Sequence, residues 1–285
     1  MKRRSFIKTG ILSVGSLAYL KNSATPAVKK KEMKVRLLRH ATLVVRVNGK
    51  LILVDPMLSK KEAMDPVGNA GNNNRIPMVD LPIDDTELDG LLKKTDAVLL
   101  THIHRDHWDI GAQQKIDKNK LILCQPADEE KIKAGGFTNV KSIENSYGWN
   151  GLTIHRTNGQ HGTGETGKKM GVVSGFVLDN TKDRLYIAGD TIWCSDVKDA
   201  VTNHRPTYII VNGGGAKFIE GDPITMTVDD VLELSGFTKT PVSVVHLETI
   251  NHCLQRRNDF NSAIASRSLT KQVSIPRDGE WLNMA

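Results

Sequence analysis

The 285-residue chain has few cysteines and few aromatic residues. Three cysteines, Cys124, Cys194 and Cys253, are too few for a disulfide framework, so we expect buried free thiols, although one disulfide pair stays open. Aromatic residues make up 5% of the chain, which argues against a surface that stacks nucleic-acid bases. The apolar stretch over residues 11–20 is shorter than the ~20 residues that a membrane-spanning helix needs. We therefore expect neither a disulfide scaffold nor a stable membrane span.

The formal net charge of +7 is concentrated at the beginning of the chain. Residues 1–27 contain five basic residues and no acidic ones, and subtracting these five charges leaves +2 for the rest of the chain. A basic surface is the electrostatic mark of a nucleic-acid-binding protein, and the remaining chain lacks that excess. We therefore expect no nucleic-acid partner.

The first 27 residues have the order of features that is typical of an export signal. A basic segment comes first, the modestly apolar residues 11–20 follow, and small residues lie between positions 24 and 27. The pair Arg3-Arg4, followed by SFIK, resembles a twin-arginine export signal. We therefore expect residues 1–27 to be a signal peptide that the twin-arginine export machinery binds. Residues 33–285 would form the folded domain, and the protein would be periplasmic or otherwise exported.

Short apolar runs that end at turn residues predict many strands in the rest of the chain. Asn48-Gly49 is a strong hairpin signal between apolar runs at 43–45 and 51–54, and the polar stretch 59–86 predicts a long binding loop. Further strands are predicted at 97–100, 121–124, 152–154, 172–178, 185–188, 208–211 and 242–245. Helices are predicted at 84–94, 110–118, 226–235 and 258–266. This mixture favours stacked sheets that are covered by helices.

The stretch LLTHIHRDHWD, residues 99–109, concentrates histidine and aspartate directly after a predicted strand. His102 and His104 are two residues apart, so they share a face if the segment is extended, and Asp106 and His107 follow on the turn. Imidazole and carboxylate groups suit zinc and the other first-row metals. A solvated turn that is rich in histidine is the alternative. Four potential ligands at this spacing favour a metal site.

Three more polar residues lie at or near the ends of apolar runs. His161 lies in NGQHGTG, Asp190 in LYIAGDT and His246 in PVSVVHLE. A strand end holds a side chain rigidly at a shared cleft, and neighbouring glycines allow the backbone to approach closely. Each residue alone would more often be structural. Together, and in this order, they predict further ligands of the same site.

The whole pattern resembles the metallo-β-lactamase superfamily. It consists of an early strand that ends in Asp55, followed by His102, His104, Asp106, His107, His161, Asp190 and His246. The segments RHATLVV and ILVDP are most similar to the branch that contains ascorbate-phosphate lactonase-like and N-acyl-phosphatidylethanolamine phospholipase-like hydrolases. The resemblance implies an α/β fold, the four-layer αββα sandwich of the metallo-β-lactamase fold, with the site at one edge of its two sheets.

The resemblance also implies two divalent metal ions, zinc first, with manganese and iron as alternatives. By this resemblance, the first metal would be bound by His102, His104 and His161. The second metal would be bound by Asp106, His107 and His246. Asp190 would bridge the two. Asp55 would orient the histidine loop by hydrogen bonds. Two metals share a bridging water and lower its pKa, and Asp106 would act in catalysis by orienting this nucleophile.

The implied activity is metal-dependent hydrolysis of an ester, lactone or phosphodiester bond in a small-molecule substrate. True β-lactamases of this superfamily typically lack the bridging aspartate, so Asp190 argues against antibiotic hydrolysis. Two alternatives are a mononuclear iron thiol oxygenase and a non-catalytic metal-binding protein. The complete ligand set argues against both.

Three further residues stay open as supporting or substrate-contacting groups, in addition to Asp55. His40, in RHAT, either approaches the site or is a hydrogen-bonded core histidine. Glu248 and His252 follow His246 closely, and His252 is an alternative last ligand. We prefer His246 as that ligand because it lies at the end of a strand.

Overall fold

Thirteen strands and seven α-helices make up the part of the chain, residues 33–284, that the computed structural model describes. The export signal predicted for residues 1–27 lies outside these described residues. The strands are β1 Lys34–Arg39, β2 Thr42–Val47, β3 Lys50–Val54, β4 Ala97–Leu99, β5 Leu121–Cys124, β6 Val140–Ser142, β7 Ser146–Trp149, β8 Leu152–Asn158, β9 Ser174–Asp179, β10 Arg184–Ile187, β11 Tyr208–Asn212, β12 Val242–Val245 and β13 Val273–Ser274. The helices are α1 Asp85–Lys94, α2 Ile110–Lys115, α3 Glu129–Ala134, α4 Gly164–Met170, α5 Ser195–His204, α6 Val228–Phe237 and α7 Arg257–Ser266.

The strands form two mixed sheets. The first has six strands in the order β1-β2-β3-β4-β5-β6, and the second has seven in the order β13-β12-β11-β10-β9-β8-β7. In the first sheet the hairpin strands β1 to β3 are antiparallel and β3 to β6 are parallel. In the second sheet β7 to β10 are antiparallel and β10 to β13 are parallel. Each sheet therefore begins as hairpins and continues through crossover helices.

Three apolar layers hold the sheets and helices together. The layer between the sheets contains, among others, Val45, Ile52, Leu99, Phe176, Leu178 and Ile210. The outer face of the first sheet packs against α1, α2 and α3 through Leu88, Ala112 and Ile132. The outer face of the second sheet packs against α5, α6 and α7 through Val197, Leu234 and Phe260. Each fully buried large apolar side chain contributes roughly 1.5–3 kcal/mol. The predicted four-layer αββα sandwich is confirmed.

Most of the predicted elements are found within a few residues of their expected bounds. The hairpin turn at Asn48-Gly49, the helix α1 and the strand β12 agree closely with the sequence pattern.

All three cysteines are free thiols, but only Cys124 is buried, whereas Cys194 and Cys253 are half-buried. The expectation of three buried thiols is therefore corrected. Within residues 33–284, no helix has the length and apolar character that crossing a membrane requires.

The strands that precede the predicted ligands end at the same edge of each sheet. β1 and β3 are both antiparallel to β2, and β3 is parallel to β4, so β1, β3 and β4 run in one direction. β8 and β10 are both antiparallel to β9, and β10, β11 and β12 are parallel, so β8, β10 and β12 also share a direction. The loops at these strand ends carry all of the candidate ligands.

A buried arginine fastens the long loop after β3 to the first sheet. Arg39, the last residue of β1, is completely buried, and its guanidinium donates hydrogen bonds to the backbone carbonyls of Met57, Ser59 and Val79 at 2.7, 2.9 and 3.0 Å. The five N–H donors of a guanidinium can satisfy several carbonyls at once. Arg39 therefore fixes both ends of the loop that the sequence predicts over 59–86.

We expect the Arg39→Met substitution to lower the free energy of unfolding by about 2–4 kcal/mol, because two buried hydrogen bonds and a partly buried one are lost at the carbonyls of Met57, Ser59 and Val79. Urea unfolding of both proteins measures this difference. Arg36→Met is the matched control on the same strand, since Arg36 is partly exposed and pairs with Glu87, and it should cost less than about 1 kcal/mol. Equal losses for the two variants would contradict this role for Arg39.

Candidate metal centre

Three histidines from two loops form the first group of potential ligands. His102 and His104 follow β4, and His102 Nε2 lies 3.0 Å from His104 Nδ1. His161 follows β8, and its ring lies 5.4 Å from that of His102 and 5.2 Å from that of His104, measured between centroids. One nitrogen from each ring lies within 4.8 Å of the other two. A single metal ion could therefore bind all three imidazoles.

A second group of potential ligands is centred on Asp106. Asp106 Oδ2 lies 3.2 Å from His40 Nε2, 3.5 Å from His246 Nε2 and 3.6 Å from His107 Nε2. One ligand atom from each of these four residues lies within 4.8 Å of the others. The structure thus brings together the predicted second set and adds His40 to it.

Asp190 lies between the two groups. Its Oδ2 is 3.2 Å from His107 Nε2, 3.5 Å from His246 Nε2 and 3.6 Å from His161 Nε2. Its Oδ1 accepts a hydrogen bond of 2.7 Å from the side-chain amide of Asn212. One carboxylate oxygen therefore faces histidines of both groups, which is the position that a bridging ligand requires.

The backbone at Gly189 allows Asp190 to reach this position. Gly189 has a φ of +69°, and a Cβ at this residue would lie 2.8 Å from the carbonyl oxygen of Ser174 and 3.1 Å from Thr101 Cβ. Both the left-handed conformation and the close approach require glycine. The glycine in LYIAGDT therefore brings the loop of the second sheet against the histidine loop of the first.

Three residues directly after strands also adopt the left-handed conformation. His40, Asp55 and His246 have φ values of +60°, +42° and +66°. This region is uncommon for residues other than glycine, although aspartate and histidine enter it more readily than most. The backbone N–H of His246 donates to the carbonyl of His40 at 3.0 Å, which ties the two sheets together at the site.

Hydrogen bonds behind the histidines fix which ring nitrogen faces the cluster. His107 Nδ1 lies 2.9 Å from Asp55 Oδ2, and His161 Nδ1 lies 2.8 Å from the carbonyl oxygen of Ile224. His246 Nδ1 lies 3.6 Å from the thiol sulfur of Cys253. Partners of this kind orient metal-binding imidazoles and leave the other nitrogen for the metal.

Asp55 lies behind the histidine loop, as the sequence predicts. The sequence gives no local signal that Ile224, Cys253 and Thr101 contact the histidine rings. Asp55 Oδ1 accepts from the backbone N–H of Thr101 at 2.8 Å, and its Oδ2 accepts from the Thr101 hydroxyl at 2.6 Å. Thr101 Oγ1 also lies 3.1 Å from His102 Nδ1. The one available hint is that Thr101 directly precedes the first histidine of the motif.

The electrostatics of the cluster favour a bound cation. Asp106 and Asp190 are buried, and within residues 33–284 their ion-pair partners are histidines rather than lysine or arginine. Burial opposes their ionisation, but the surrounding imidazoles, His107 above all, hold the pKa of both carboxyls well below its usual range. Burial also opposes a charge on His107, yet Asp190 and Asp106 outweigh it and raise the pKa of His107 to about 10.

Two unpartnered ring nitrogens test whether the residues fit a metal. The Nε2 atoms of His107 and His246 are buried and face carboxylate oxygens, but neither has the alignment of a hydrogen bond among the described residues. Because both atoms lie beside Asp190 Oδ2 and belong to imidazole–carboxylate groups of the type that bind first-row metals, the residues fit bound metal.

The remaining candidates have different surroundings. The His40 ring lies against that of His246, with 3.7 Å between centroids and an angle of 35° between the planes, and burial lowers the pKa of His40 to about 3. His252 belongs to neither ligand group but lines the cavity beside them. Glu248 lies apart from the ligands, because its carboxylate pairs with Arg257 at 2.5 Å and accepts the Arg257 backbone N–H at 3.0 Å. Glu248 thus supports the beginning of α7 in this structure.

Comparisons with known proteins identify the family of the chain. Residues 51–246, more than half of the chain, match a family described as the beta-lactamase superfamily domain. The UPF0173 protein YddR of Bacillus subtilis (strain 168) is 32% identical over 253 residues, which cover 87% of this chain and 98% of that protein. A UPF0173 metal-dependent hydrolase of Staphylococcus saprophyticus is 24% identical over 274 residues.

Two solved structures are similar over nearly their full length. Isothiocyanate hydrolase from Delia radicum gut bacteria is 35% identical with a TM-score of 0.83, and the match covers 88% of this chain and 99% of that one. A protein of Veillonella parvula DSM 2008, described as a possible metal-dependent hydrolase, is 32% identical with a TM-score of 0.84 and the same coverage. The chain therefore belongs to the UPF0173 family of metal-dependent hydrolases within the metallo-β-lactamase superfamily.

Proposed function

We propose that the chain is an exported binuclear metal-dependent hydrolase that cleaves an ester, lactone or phosphodiester bond in a small molecule. The observation that carries the proposal is the position of Asp190, whose Oδ2 lies within 3.6 Å of imidazole nitrogens from both ligand groups. The placement within the lactonase-like and phospholipase-like branch, and export through the twin-arginine machinery, rest on sequence resemblance and are part of the proposal.

Two divalent metal ions, when bound, would supply hydroxide near neutral pH and polarise the bond under attack. The chain itself positions the reacting groups. Asp106 Oδ2 is held by His40 Nε2 at 3.2 Å, and Asp106 belongs to the ligand cluster and also lines the cavity. It is therefore placed to orient the attacking oxygen, while Asn212 keeps the Asp190 carboxylate fixed through Oδ1.

A second candidate activity is the hydrolysis of isothiocyanates. It is favoured by the similarity to isothiocyanate hydrolase, at 35% identity over 99% of that chain. The electrophile would be the central carbon of the N=C=S group. Water would add its oxygen to this carbon and a proton to the nitrogen to give a thiocarbamic acid, R–NH–C(=O)–SH. The carbon–nitrogen bond would then break as the S–H proton passes to nitrogen, which releases the amine R–NH2 and carbonyl sulfide. The same ligand cluster could act on this uncharged carbon electrophile as on an ester carbonyl.

The first test is the metal content of the purified full chain, expressed without an excess of any one metal, together with hydrolysis of p-nitrophenyl acetate, bis(4-nitrophenyl) phosphate and benzyl isothiocyanate. We expect about two zinc or manganese ions per chain and turnover of at least one substrate. A single iron ion with no hydrolysis would instead support the thiol oxygenase. Absence of metal after reconstitution would refute the proposal. Cell fractionation tests export, and a wholly cytoplasmic chain would contradict it.

A further inference from the structure

A small cavity of about 190 Å³ opens onto the ligand cluster. His104, Asp106, His161 and Asp190 form its base. The rest of its wall comes from several loops and the end of α4 and is mostly apolar, with contributions from Val67, Met170, Phe218, Ile224, Arg105 and His252. A cavity of this size admits a small substrate, and an apolar wall favours an apolar substituent beside the bond that is cleaved.

His252 is a polar residue of this wall that the ligand groups do not use. It is 7% exposed, and its ring is stacked on that of Phe218 at 5.6 Å with an angle of 16° between the planes. Its Nδ1 is buried, and the imidazole forms no side-chain hydrogen bond with the described residues. The part of the ring that is exposed to the cavity is therefore free to hydrogen-bond a ligand.

The charges around the cavity favour an uncharged substrate. Outside the candidate ligands, most of the described wall residues are apolar and offer no charge to a carboxylate or phosphate. Arg105 is the one lysine or arginine among the described residues of the wall, and this exposed side chain donates a 2.7 Å hydrogen bond to the carbonyl of Pro66.

We propose that His252 determines specificity in the hydrolase proposed above by hydrogen-bonding a polar atom of a small, uncharged substrate. The ring of Phe218 holds the His252 imidazole by stacking, and the apolar wall binds the apolar substituent of the substrate. The favoured class is therefore a small neutral acyl compound, such as a carboxylic ester or a lactone, rather than a phosphodiester. This inference rests on the proposed function.

The test compares p-nitrophenyl acetate, which is neutral, with bis(4-nitrophenyl) phosphate, which is anionic and has the same chromophore. For the unmodified full chain, kcat/KM for each substrate is divided by the uncatalysed rate constant of that substrate. We expect this ratio to be at least 100-fold higher for the acetate than for the phosphodiester. We expect His252→Phe, which keeps a stacked ring but has no hydrogen-bonding atom, to lower kcat/KM for the acetate about 10- to 100-fold, mainly through KM, with metal content unchanged. His204→Phe, at the end of α5, is the matched control and should change neither quantity.

Each other outcome has a distinct meaning. Loss of a metal ion in His252→Phe would make His252 a ligand and overturn the specificity role. An unchanged kcat/KM for the acetate, or a preference for the phosphodiester, would also overturn it while leaving the metal hydrolase intact. An unmodified chain that binds no metal and hydrolyses neither substrate would overturn both proposals. Phe218→Leu, which keeps an apolar wall, should raise KM for the acetate, and an unchanged KM would exclude the stacking role.

Discussion

Replacing Asp190 with alanine is expected to lower the metal content to one ion or fewer per chain and to reduce kcat/KM by about 1,000-fold. Asp190 Oδ2 is the oxygen that faces imidazoles of both ligand groups, so the substitution removes the ligand that the two groups would share. A metal ion contributes several kcal/mol to stabilising the transition state, and about 4 kcal/mol corresponds to a factor of 1,000. Metal analysis and steady-state kinetics on the same preparation measure both effects.

Two variants show whether the effect belongs to the bridging carboxylate. Asp199→Ala removes an exposed carboxylate from α5, and it should retain both metal ions and full activity. Asp190→Asn keeps the size of the side chain but not its charge, so it should resemble Asp190→Ala in metal content if charge is what holds the metals together. Two metal ions in purified Asp190→Ala would contradict a bridging role.

The clustering of the candidate ligands could be predicted from the sequence because each of them follows a strand directly or closely. His102, Asp190 and His246 come within a few residues of β4, β10 and β12, and those strands end at one edge of the two sheets. The geometry of parallel strands then brings them together without any knowledge of the loops. The same logic places Asp55 after β3 behind the histidine loop.

The environment of Glu248 could not be predicted in this way. It lies two residues after His246, yet both residues have positive φ values, +66° and +62°, so the chain turns sharply at each. The Glu248 carboxylate consequently reaches Arg257 instead of the ligands. Sequence spacing indicates which residues are near each other, but it does not give the direction of a side chain after two left-handed turns.

The cavity also could not be predicted from a local sequence pattern. Val67 lies in the loop after β3, Met170 ends α4, and Phe218 and Ile224 lie between β11 and α6. These three segments are far apart in sequence, and none of the four residues lies in a periodic apolar segment. Their meeting depends on how the long loops fold over the sheet edge. The sequence predicts that a long loop follows β3, whereas the contacts of Arg39 with the carbonyls of Met57, Ser59 and Val79 show how that loop is held.

Two substitutions of Asp55 distinguish its contribution to the stability of the fold from its contribution to metal affinity. Asp55 is 1% exposed and accepts hydrogen bonds from the Thr101 N–H, the Thr101 hydroxyl and His107 Nδ1. Asp55→Ala leaves these buried donors without an acceptor, so we expect it to lower the free energy of unfolding by about 3 kcal/mol. Urea unfolding of the metal-free proteins measures this loss. Asp96→Ala is the matched control at the other end of β4, where the carboxylate is partly exposed and pairs with Lys50, and it should cost about 1 kcal/mol or less.

Asp55→Asn gives the sharper result because it preserves the shape of the side chain. An amide has one acceptor oxygen, so either the Thr101 N–H or the His107 Nδ1–H loses its acceptor, whichever way the amide is turned. When the amide nitrogen faces His107 Nδ1, the imidazole proton moves to Nε2, the atom that would bind metal. We therefore expect metal affinity to fall about 10- to 100-fold in a chelator competition assay. Affinity equal to that of the unmodified chain would mean that Asp55 supports the fold without setting the tautomer of His107.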